Sequence, residues 1–249
     1  MDFDLSDEQR LVEQSVRQWG AREIAPRIHD LDRAHEFDRS IFPQMASLGL
    51  LGISVPADYG GAGMDYVSLG IACEELEYVD TSLRVIMSVH VGLNCLTLVA
   101  WGTEDQKRRY LVPQARGERI ATYGLTEPAA GSDVRGIQTV AIKDGSRYRL
   151  TGEKMWISLA DVADNFLVFA WSDLEKKRER DPAGITAFIV ERRFKGFSSG
   201  TMKEKWGILA GNTGFFKLDE VEVPEENLLG RPGEGFKIAM HTLDGGRVG

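Results

Sequence analysis

The spacing of apolar residues over the first 116 positions predicts a series of amphipathic helices. Val12, Val16 and Trp19 recur at three- and four-residue intervals after a Ser-Asp-Glu-Gln capping box at 6–9, which predicts a helix over about residues 6–28. Further helices are predicted at about 41–50, 67–78, 83–101 and 103–116. The N-terminal part of the chain is therefore expected to be all-helical.

After Gly117 the pattern changes to short β-branched and aromatic runs bounded by Gly, Asp and Pro, which is typical of strands. Strands are predicted at about 120–125, 137–143, 147–151, 166–171, 185–190 and 215–223. Asp144-Gly145 fits a hairpin turn between the second and third strands, because both residues tolerate positive φ. We expect an antiparallel β domain. We expect the charged stretch 173–180 to form a solvated, mobile loop, with a functional patch as the alternative.

Beyond Pro224 the helical pattern returns. Apolar residues at 236, 239, 240 and 243 share one helix face, and the chain stops at Gly249 soon after. We therefore expect an α+β multi-domain fold in which the C-terminal part is truncated. Its parts are a helical N-terminal domain over 1–116, an antiparallel β middle domain over 117–226 and the start of a C-terminal helical bundle over 227–249.

The amino-acid composition disfavours several classes of function. The 249 residues contain 30 Lys and Arg against 38 Asp and Glu, a net charge of −8 that disfavours nucleic-acid binding. Cys73 and Cys95 form no Cys-x-x-Cys motif and the histidines are dispersed, so neither a disulfide framework nor a metal site is indicated. We expect a cytoplasmic protein with no targeting segment. The apolar stretch 82–101 contains polar residues that are costly in a bilayer, so we expect a buried helix and no membrane insertion.

The segment 123–133, Tyr-Gly-Leu-Thr-Glu-Pro-Ala-Ala-Gly-Ser-Asp, is the strongest candidate for chemistry. Thr126 and Ser132 can present hydroxyl groups, and Gly131 lets backbone N–H groups approach an anion closely. An ordinary turn with Ser and Asp caps is the alternative. A Rossmann fingerprint and a Gly-x-Ser-x-Gly elbow are absent from the sequence, and each isolated histidine is expected to be a surface or packing residue.

The residues at 124–136 resemble the first signature of the acyl-CoA dehydrogenases. Residues 154–158 resemble that family's second flavin segment, 56–63 its Gly-Gly loop, and 223–230 the strand leading into its C-terminal domain. The resemblance extends in order over essentially the whole chain. It implies FAD bound between a helical N-terminal domain, a middle β domain and a C-terminal bundle.

The resemblance also assigns flavin-site residues. It places Tyr123, Leu125 and Thr126 along the isoalloxazine ring, Ser132 with the preceding Gly131 at the FAD pyrophosphate, and Trp156 with Ile157 against the ring. Many members have Thr at the position of Ser158, with its hydroxyl near flavin N5. Ser keeps the hydroxyl but lacks the methyl group that fixes the rotamer. An ordinary core aromatic remains the alternative for Trp156.

The family reaction removes a proton from Cα of an acyl thioester and a hydride from Cβ. A carboxylate that acts as the base near neutral pH needs desolvation to raise its basicity. Most members place this base beyond the position of Gly249, and a minority place it where this chain has Gly246. We therefore expect no catalytic base within the chain, and we expect the 249 residues alone to retain flavin poorly and to turn over no substrate.

Substrate residues follow from the same resemblance. Ser132, Asp244 and Arg247 match positions near the CoA moiety, although Arg247 could instead form a buried structural pair. Arg84 matches the arginine that glutaryl-CoA-type members place against a distal carboxylate, which a guanidinium binds bidentately; a surface ion pair is the alternative. The family likeness implies an electron-transfer flavoprotein as partner and a homodimer or homotetramer. An acyl-CoA oxidase and a non-redox acyl-CoA-binding scaffold are the competing functions.

Overall fold

The computed structural model describes residues 4–247. The first predicted helix is confirmed and is longer than expected: α1 (Asp7–Trp19) continues through a π-helical segment, Gly20–Ile24, into α2 (Ala25–Ala34). Its capping box is present, since the Ser6 hydroxyl accepts from the Gln9 N–H at 3.2 Å and the Gln9 side chain accepts from the Ser6 N–H at 3.0 Å. The first helix therefore begins where the sequence predicts.

The other predicted N-terminal helices are also present. The second is shorter than expected, because Gly49 at φ +71° ends it and only a 3-10 turn follows, at Leu50–Gly52. Two helices stand alone, α3 (Ile41–Ser47) and α4 (Tyr66–Val79). Helix α5 (Thr81–Ile86) continues through the π-helical segment Met87–Cys95 into α6 (Leu96–Trp101). Helix α7 (Glu104–Gln106) continues through the π-helical segment Lys107–Leu111 into α8 (Val112–Ala115).

The continuous helix Thr81–Trp101 is long and apolar enough to cross a bilayer by length and composition alone. In the fold, however, 61% of its apolar window is buried inside the protein. Leu83, Ile86 and Val91 are fully buried within the core. It occupies the position of a core helix, as predicted.

Eight strands form one sheet in the order β6-β7-β3-β2-β4-β5-β8, with β1 paired to β4. The strands are β1 (Ala121–Gly124), β2 (Val140–Asp144), β3 (Arg147–Ser158), β4 (Asn165–Trp171), β5 (Ile185–Glu191), β6 (Phe197–Thr201), β7 (Thr213–Pro224) and β8 (Leu228–Leu229). The predicted hairpin is confirmed, because β2 and β3 pair antiparallel around Gly145 at φ +60°.

The expectation of an antiparallel sheet needs one correction. β1 runs parallel to β4, and β2 makes one parallel pair with β4; the remaining pairings are antiparallel. A parallel pair needs a long connection, and the roughly forty residues between β1 and β4 provide one. β6 and β8 were not predicted, since β6 is rich in Ser and Gly and β8 has two residues.

The charged stretch after β4 is a short helix, so the prediction of a mobile loop was wrong. Asp173 caps α9 (Leu174–Glu179) by accepting hydrogen bonds from the backbone N–H groups of Glu175 and Lys176 at 3.0 and 3.1 Å. Most of the charged side chains are exposed, as expected, whereas Lys176 and Lys177 are half-buried. The Asp173 cap stabilises the helix that carries them.

The last described helix, α10 (Gly235–Gly246), lies across β5 and the Met87–Cys95 segment. Ile238 and Ala239 are fully buried, and the hydroxyls of Thr242 and Thr97 lie 2.8 Å apart. Phe236, Met240 and Leu243 are only half-buried. The predicted apolar stripe therefore packs on the core along one side and borders a cleft along the other.

Candidate functional site

A cleft of about 710 Å³ opens where β1, β3 and α10 meet. Its volume lies within the range typical of small-molecule sites. All eight residues that the resemblance assigns to the cofactor line it, namely Tyr123, Leu125, Thr126, Gly131, Ser132, Trp156, Ile157 and Ser158. Val89 and Leu93 from the core helix and the half-buried face of α10 complete an apolar wall. The structure thus brings the two predicted flavin segments together.

The turn after β1 is compact because its backbone pairs with itself. The backbone groups of Glu127 and Ala130 exchange two hydrogen bonds, at 3.0 and 3.1 Å. Gly124, where the strand ends, must lack a side chain, since a Cβ there would lie 2.4 Å from the Phe216 ring. This arrangement places Thr126 and Ser132 at the edge of the cleft.

A buried lysine anchors this turn from beneath. Lys154 is fully buried, and its Nζ donates to Glu127 Oε1 at 2.8 Å, to the Phe169 carbonyl at 2.7 Å and to the Leu125 carbonyl at 3.2 Å. Glu127 also accepts from the Thr139 hydroxyl at 2.5 Å and from the Thr139 N–H at 3.1 Å. Because every donor of the ammonium is used, β3, β4 and the turn form one connected unit.

Burial acts on both charges of this pair. Burial would raise the pKa of Glu127, but the Lys154 charge and the hydrogen bonds from Lys154, Thr139 and Gln138 outweigh it and hold that pKa below its ordinary value. Burial lowers the pKa of Lys154, and Glu127 opposes the shift. The carboxylate therefore stays ionised at neutral pH and balances the ammonium. The sequence does not predict this pair, because the predicted strand at about 147–151 ends before Lys154, whereas the observed strand β3 continues to Ser158.

Trp156 reaches the cleft through an irregularity in β3. The pairing with β7 shifts register between Met155 and Ile157, and Trp156 takes φ +61°. A tryptophan in this left-handed conformation costs of order 1–3 kcal/mol, and such strain is concentrated at functional sites. The indole is 57% exposed, whereas Ile157 beside it is buried. The structure thus excludes the alternative that Trp156 is an ordinary core aromatic.

Three side chains of the cleft present hydroxyl groups that the described part of the protein does not engage. The side-chain oxygens of Thr126, Ser132 and Ser158 have no hydrogen-bond partner among residues 4–247. A Cβ built on Gly131 would meet nothing within 4 Å, so the turn leaves open space there. Burial raises the pKa of the Tyr123 phenol, which therefore stays protonated. The site offers hydroxyl groups beside apolar walls, and the charged side chains of Asp133, Arg135 and Arg247 also belong to its lining.

A neutral histidine holds β1 in place behind the cleft. His90 is fully buried, its Nδ1 accepts from the Ala121 N–H at 3.0 Å, and its Nε2 lies 3.0 Å from the Gln114 carbonyl. Burial lowers the pKa of His90 to about 4, so the ring is neutral at pH 7 and Nε2 carries the proton. This confirms the expectation of a packing residue.

The predicted substrate residues are separated in the fold. Arg247 is exposed and lines the cleft, so it is not a buried structural pair. Asp244 is exposed and lies in a different, smaller hollow beside α4. Arg84 lies outside the lining of the cleft, where its Nε donates to Glu77 at 2.9 Å and its Nη1 lies 3.3 Å from the Ser88 hydroxyl.

Asp133 is the one carboxylate that lines the cleft among the residues described. Its side chain is 55% exposed and pairs with Arg180. No group of three His, Cys, Asp or Glu side chains between positions 4 and 247 is arranged to hold a metal ion.

Comparison with known proteins agrees with this geometry. A family model described as the acyl-CoA dehydrogenase N-terminal domain matches residues 6–118, and one described as the acyl-CoA dehydrogenase middle domain matches residues 122–221. The chain belongs to the acyl-CoA dehydrogenase family. A relative from Clostridium acetobutylicum, a short-chain specific acyl-CoA dehydrogenase, is 45% identical over the whole chain. The chain spans 65% of that relative's length.

Solved structures share the fold. A chain from a structure described as the electron transferring flavoprotein of Acidaminococcus fermentans superposes with a TM-score of 0.95 at 40% identity, over 99% of this chain and 64% of that one. A glutaryl-CoA dehydrogenase from Mycobacterium smegmatis in complex with FADH2 superposes with a TM-score of 0.90 at 32% identity, over 98% of this chain and 60% of that one. The expected family and fold class are therefore confirmed.

Proposed function

We propose that the full-length protein catalyses the FAD-dependent α,β-dehydrogenation of an acyl-CoA thioester to the trans-2-enoyl-CoA. The observation that carries the proposal is the strained, exposed Trp156 facing the same cleft as the turn that bears Thr126 and Ser132. The FADH2 complex of the related dehydrogenase supports the same cofactor. Family membership supports the reaction class.

The residues of the cleft fit a flavin. An indole face and apolar walls suit a flat aromatic ring, and free hydroxyls suit its polar edge. Thr126 and Ser158 would donate to that edge, Ser132 would hold a phosphate oxygen beside the open space at Gly131, and Trp156 would cover the ring. When bound, FAD supplies a hydride acceptor.

The chain's own residues would prepare the thioester for reaction. Val89, Leu93 and Leu243 exclude water from the acyl group, and Arg247 at the cleft lining carries a positive charge suited to the phosphate-bearing CoA. Exclusion of water strengthens each hydrogen bond inside the cleft. Because Asp133 is solvated and paired, we assign the proton acceptor at the substrate Cα to a residue beyond Gly249.

We propose a short straight-chain acyl group as substrate and an electron-transfer flavoprotein as acceptor. The short-chain specificity of the Clostridium relative supports the first assignment. The fold shared with the Acidaminococcus structure, which concerns an electron transferring flavoprotein, supports the second.

Full-length holoprotein should be assayed with a series of acyl-CoA thioesters and an artificial electron acceptor, with the enoyl-CoA product measured directly. We expect turnover to be greatest with a four-carbon thioester. Hydrogen peroxide formed in stoichiometric amount without added acceptor would indicate an oxidase instead. A colourless protein that binds acyl-CoA without oxidising it would indicate a scaffold and contradict the proposal.

A dicarboxylic acyl-CoA is the second candidate substrate. Arg84 lies five residues before the cleft-lining Val89 on the same helix, and Glu77 and Ser88 hold its guanidinium in place. The related glutaryl-CoA dehydrogenase supports this candidate. If it is correct, Arg84→Ala raises KM for glutaryl-CoA about tenfold more than for butyryl-CoA. Equal losses with both substrates would reject it, and the exposed Arg22→Ala serves as the control.

We further propose a cytoplasmic homodimer or homotetramer. Cys73 and Cys95 are both buried and unpaired, which suits a reducing compartment. Light scattering on the full-length protein, which should report two or four chains, tests the oligomeric state; a stable monomer would contradict it.

A further inference from the structure

The two strands that line the cleft, β1 and β3, do not pair with each other in the sheet formed by residues 4–247. β1 pairs with β4, whereas β3 pairs with β2 and β7. Other contacts must therefore hold the end of β3 beside β1. Two of them lie before Trp156: the Met155 N–H donates to the Thr126 carbonyl at 3.0 Å, and Lys154 Nζ donates to the Leu125 carbonyl at 3.2 Å.

A third contact joins the two strands on the other side of Trp156. The Thr122 hydroxyl in β1 donates to the Ser158 carbonyl at 2.5 Å, where β3 ends. The next N–H along the chain, that of Leu159, donates to the Asn212 carbonyl at 2.8 Å. The Ser158 carbonyl and the Leu159 N–H belong to one planar peptide group. Hydrogen bonds therefore hold both ends of that plane, whose orientation sets ψ of Ser158 and φ of Leu159.

The backbone around Ser158 needs this support because it is strained. Trp156 at φ +61° and Leu159 at φ +64° both take the left-handed conformation, and Ile157 and Ser158 lie between them. Such a conformation in a residue other than glycine persists only where the surrounding structure fixes it. The two hydrogen bonds to the Ser158–Leu159 peptide are placed to fix it.

Thr122 is itself firmly held in the core. It is fully buried, and its carbonyl accepts from Asn94 Nδ2, on the core helix, at 2.6 Å. Its β-branched side chain has few χ1 rotamers open to it. A buried hydroxyl needs a hydrogen-bond partner, and the partner here is the Ser158 carbonyl. The rigid strand β1 can therefore fix the position of the end of β3.

The direction of the Ser158 hydroxyl depends on this backbone. Ser158 lines the cleft, and its hydroxyl has no hydrogen-bond partner among residues 4–247. Serine lacks the β-branch that restricts χ1, and the rotamers open to it depend on its own φ and ψ. A contact that fixes the Ser158 peptide therefore also limits where the hydroxyl points.

We propose that Thr122 is a positioning residue, which orients the Ser158 hydroxyl towards the polar edge of the FAD ring. This assignment rests on the proposed function. Thr122 lies outside the lining of the cleft, so its effect passes through the Ser158–Leu159 peptide. The alternative is a buried threonine that only joins the two strands. The two roles differ because positioning acts through the Ser158 hydroxyl, whereas a purely structural role does not depend on that hydroxyl.

A double-mutant cycle separates these roles, with full-length apoprotein titrated with FAD to measure the dissociation constant. Thr122→Val removes the hydroxyl and keeps the branched shape, so we expect FAD to bind about threefold more weakly; Ser158→Ala should weaken binding about fivefold. The double variant should bind FAD no more weakly than Ser158→Ala alone. Thr122→Ser retains the hydroxyl and should restore the parent affinity.

Thr186→Val is the matched control. Thr186 is also a fully buried strand residue outside the cleft lining, and its hydroxyl lies 2.6 Å from the Ser172 hydroxyl and accepts from the Gly233 N–H at 2.9 Å. This variant should lose stability to urea without losing FAD affinity. If Thr122→Val does not fold, Thr122→Cys, which keeps a weak donor, replaces it. FAD should then bind about twofold more weakly, and only while Ser158 is present.

A Thr122→Val variant with the parent affinity for FAD would overturn the proposal, as would an equal loss of affinity with and without the Ser158 hydroxyl. If either result is found in a protein that dehydrogenates acyl-CoA thioesters, the positioning role fails and the proposed function stands. If the coupling between Thr122 and Ser158 is present but the FAD-loaded parent oxidises no acyl-CoA thioester, the positioning role stands and the proposed function fails.

Discussion

Two side chains of β3 that are two residues apart show how the site divides into a buried and an exposed half. Lys154 is fully buried beneath the turn, and Trp156 is 57% exposed above it. A regular strand would place both on the same face. The register shift between Met155 and Ile157 separates them, so one short segment both anchors the turn and covers the cleft.

The comparison teaches that the two halves use polar groups differently. Below the turn, Lys154, Glu127 and Thr139 satisfy one another, which fixes the backbone of the turn. Above it, Thr126 and Ser132 leave their hydroxyls free of the described protein and available to a ligand. A rigid lower layer can hold hydroxyls in position without occupying them.

The largest expected effect comes from breaking the buried layer. Lys154→Met leaves the Glu127 carboxylate buried without its partner, which should lower the free energy of unfolding by about 3–5 kcal/mol. Urea denaturation of the full-length protein measures it. Lys217→Met removes an exposed partner of Glu153 on the same sheet, where the side chains are 56% and 38% exposed, and should cost less than about 1 kcal/mol. Similar losses of unfolding free energy in the two variants would contradict the structural role assigned to the buried pair of Lys154 and Glu127.

The second-largest effect is expected from acid, which should lower the free energy of unfolding through His90. The folded-state pKa of His90, about 4, lies below its ordinary value of 6.5, so the unfolded chain binds the proton first as pH falls. The contribution of neutral His90 to the free energy of unfolding is complete above about pH 6.5 and is lost progressively toward pH 4. It amounts to about 3 kcal/mol at most. Urea midpoints measured between pH 7 and pH 4 test this. His90→Gln should make the urea midpoint depend less on pH between pH 7 and pH 4, whereas the exposed His29→Gln should leave that dependence unchanged. An unaltered pH dependence in His90→Gln would contradict the role assigned to His90.

The exposed half should affect ligand binding more than stability. Trp156→Ala removes the indole from the cleft and should weaken FAD binding about tenfold, while unfolding free energy changes by less than about 1 kcal/mol, because the side chain is largely exposed. Fluorescence titration of apoprotein with FAD measures the affinity. Trp206→Ala is the matched control, since Trp206 is fully exposed and outside the cleft lining. An equal loss of FAD affinity in both variants would contradict a specific role of Trp156 in binding FAD.

The smallest effect concerns a single methyl group. Ser158→Thr keeps the hydroxyl at the cleft and adds the branch that restricts its rotamer, so FAD should bind about twofold more tightly. Ser132→Thr is the comparison, since Ser132 is exposed and has more room to rotate. Weaker FAD binding by Ser158→Thr would mean that the methyl group clashes with its surroundings.

Sequence patterns predicted elements well where local signals decide structure. The Ser6 capping box, the Asp144-Gly145 hairpin and the apolar helix periodicity all depend on neighbours along the chain, and each is present. The parallel pairing of β1 with β4 depends on the path of a long connection, which periodicity does not encode. The sequence does not predict the helix at 174–179, because its Asp173 cap lies within a run of charged residues.

The candidate site likewise contains residues that the sequence predicts and contacts that only the fold reveals. Cleft residues such as Thr126 and Trp156 were predicted through family resemblance, and they do converge. The contact of Lys154 with Glu127 joins positions 27 residues apart, and that of Arg180 with Asp133 joins positions 47 apart. Such pairings become visible only when the strands are placed side by side. The placement of Arg84 against Glu77 and Asp244 in a separate hollow likewise required the fold.

The most direct test of the account is a titration of full-length apoprotein with FAD, followed by visible absorbance and by quenching of tryptophan fluorescence. The account predicts saturable uptake of one FAD per chain, with quenching that Trp156→Ala reduces and Trp206→Ala does not. Absence of saturable uptake, or quenching that does not depend on Trp156, would contradict it.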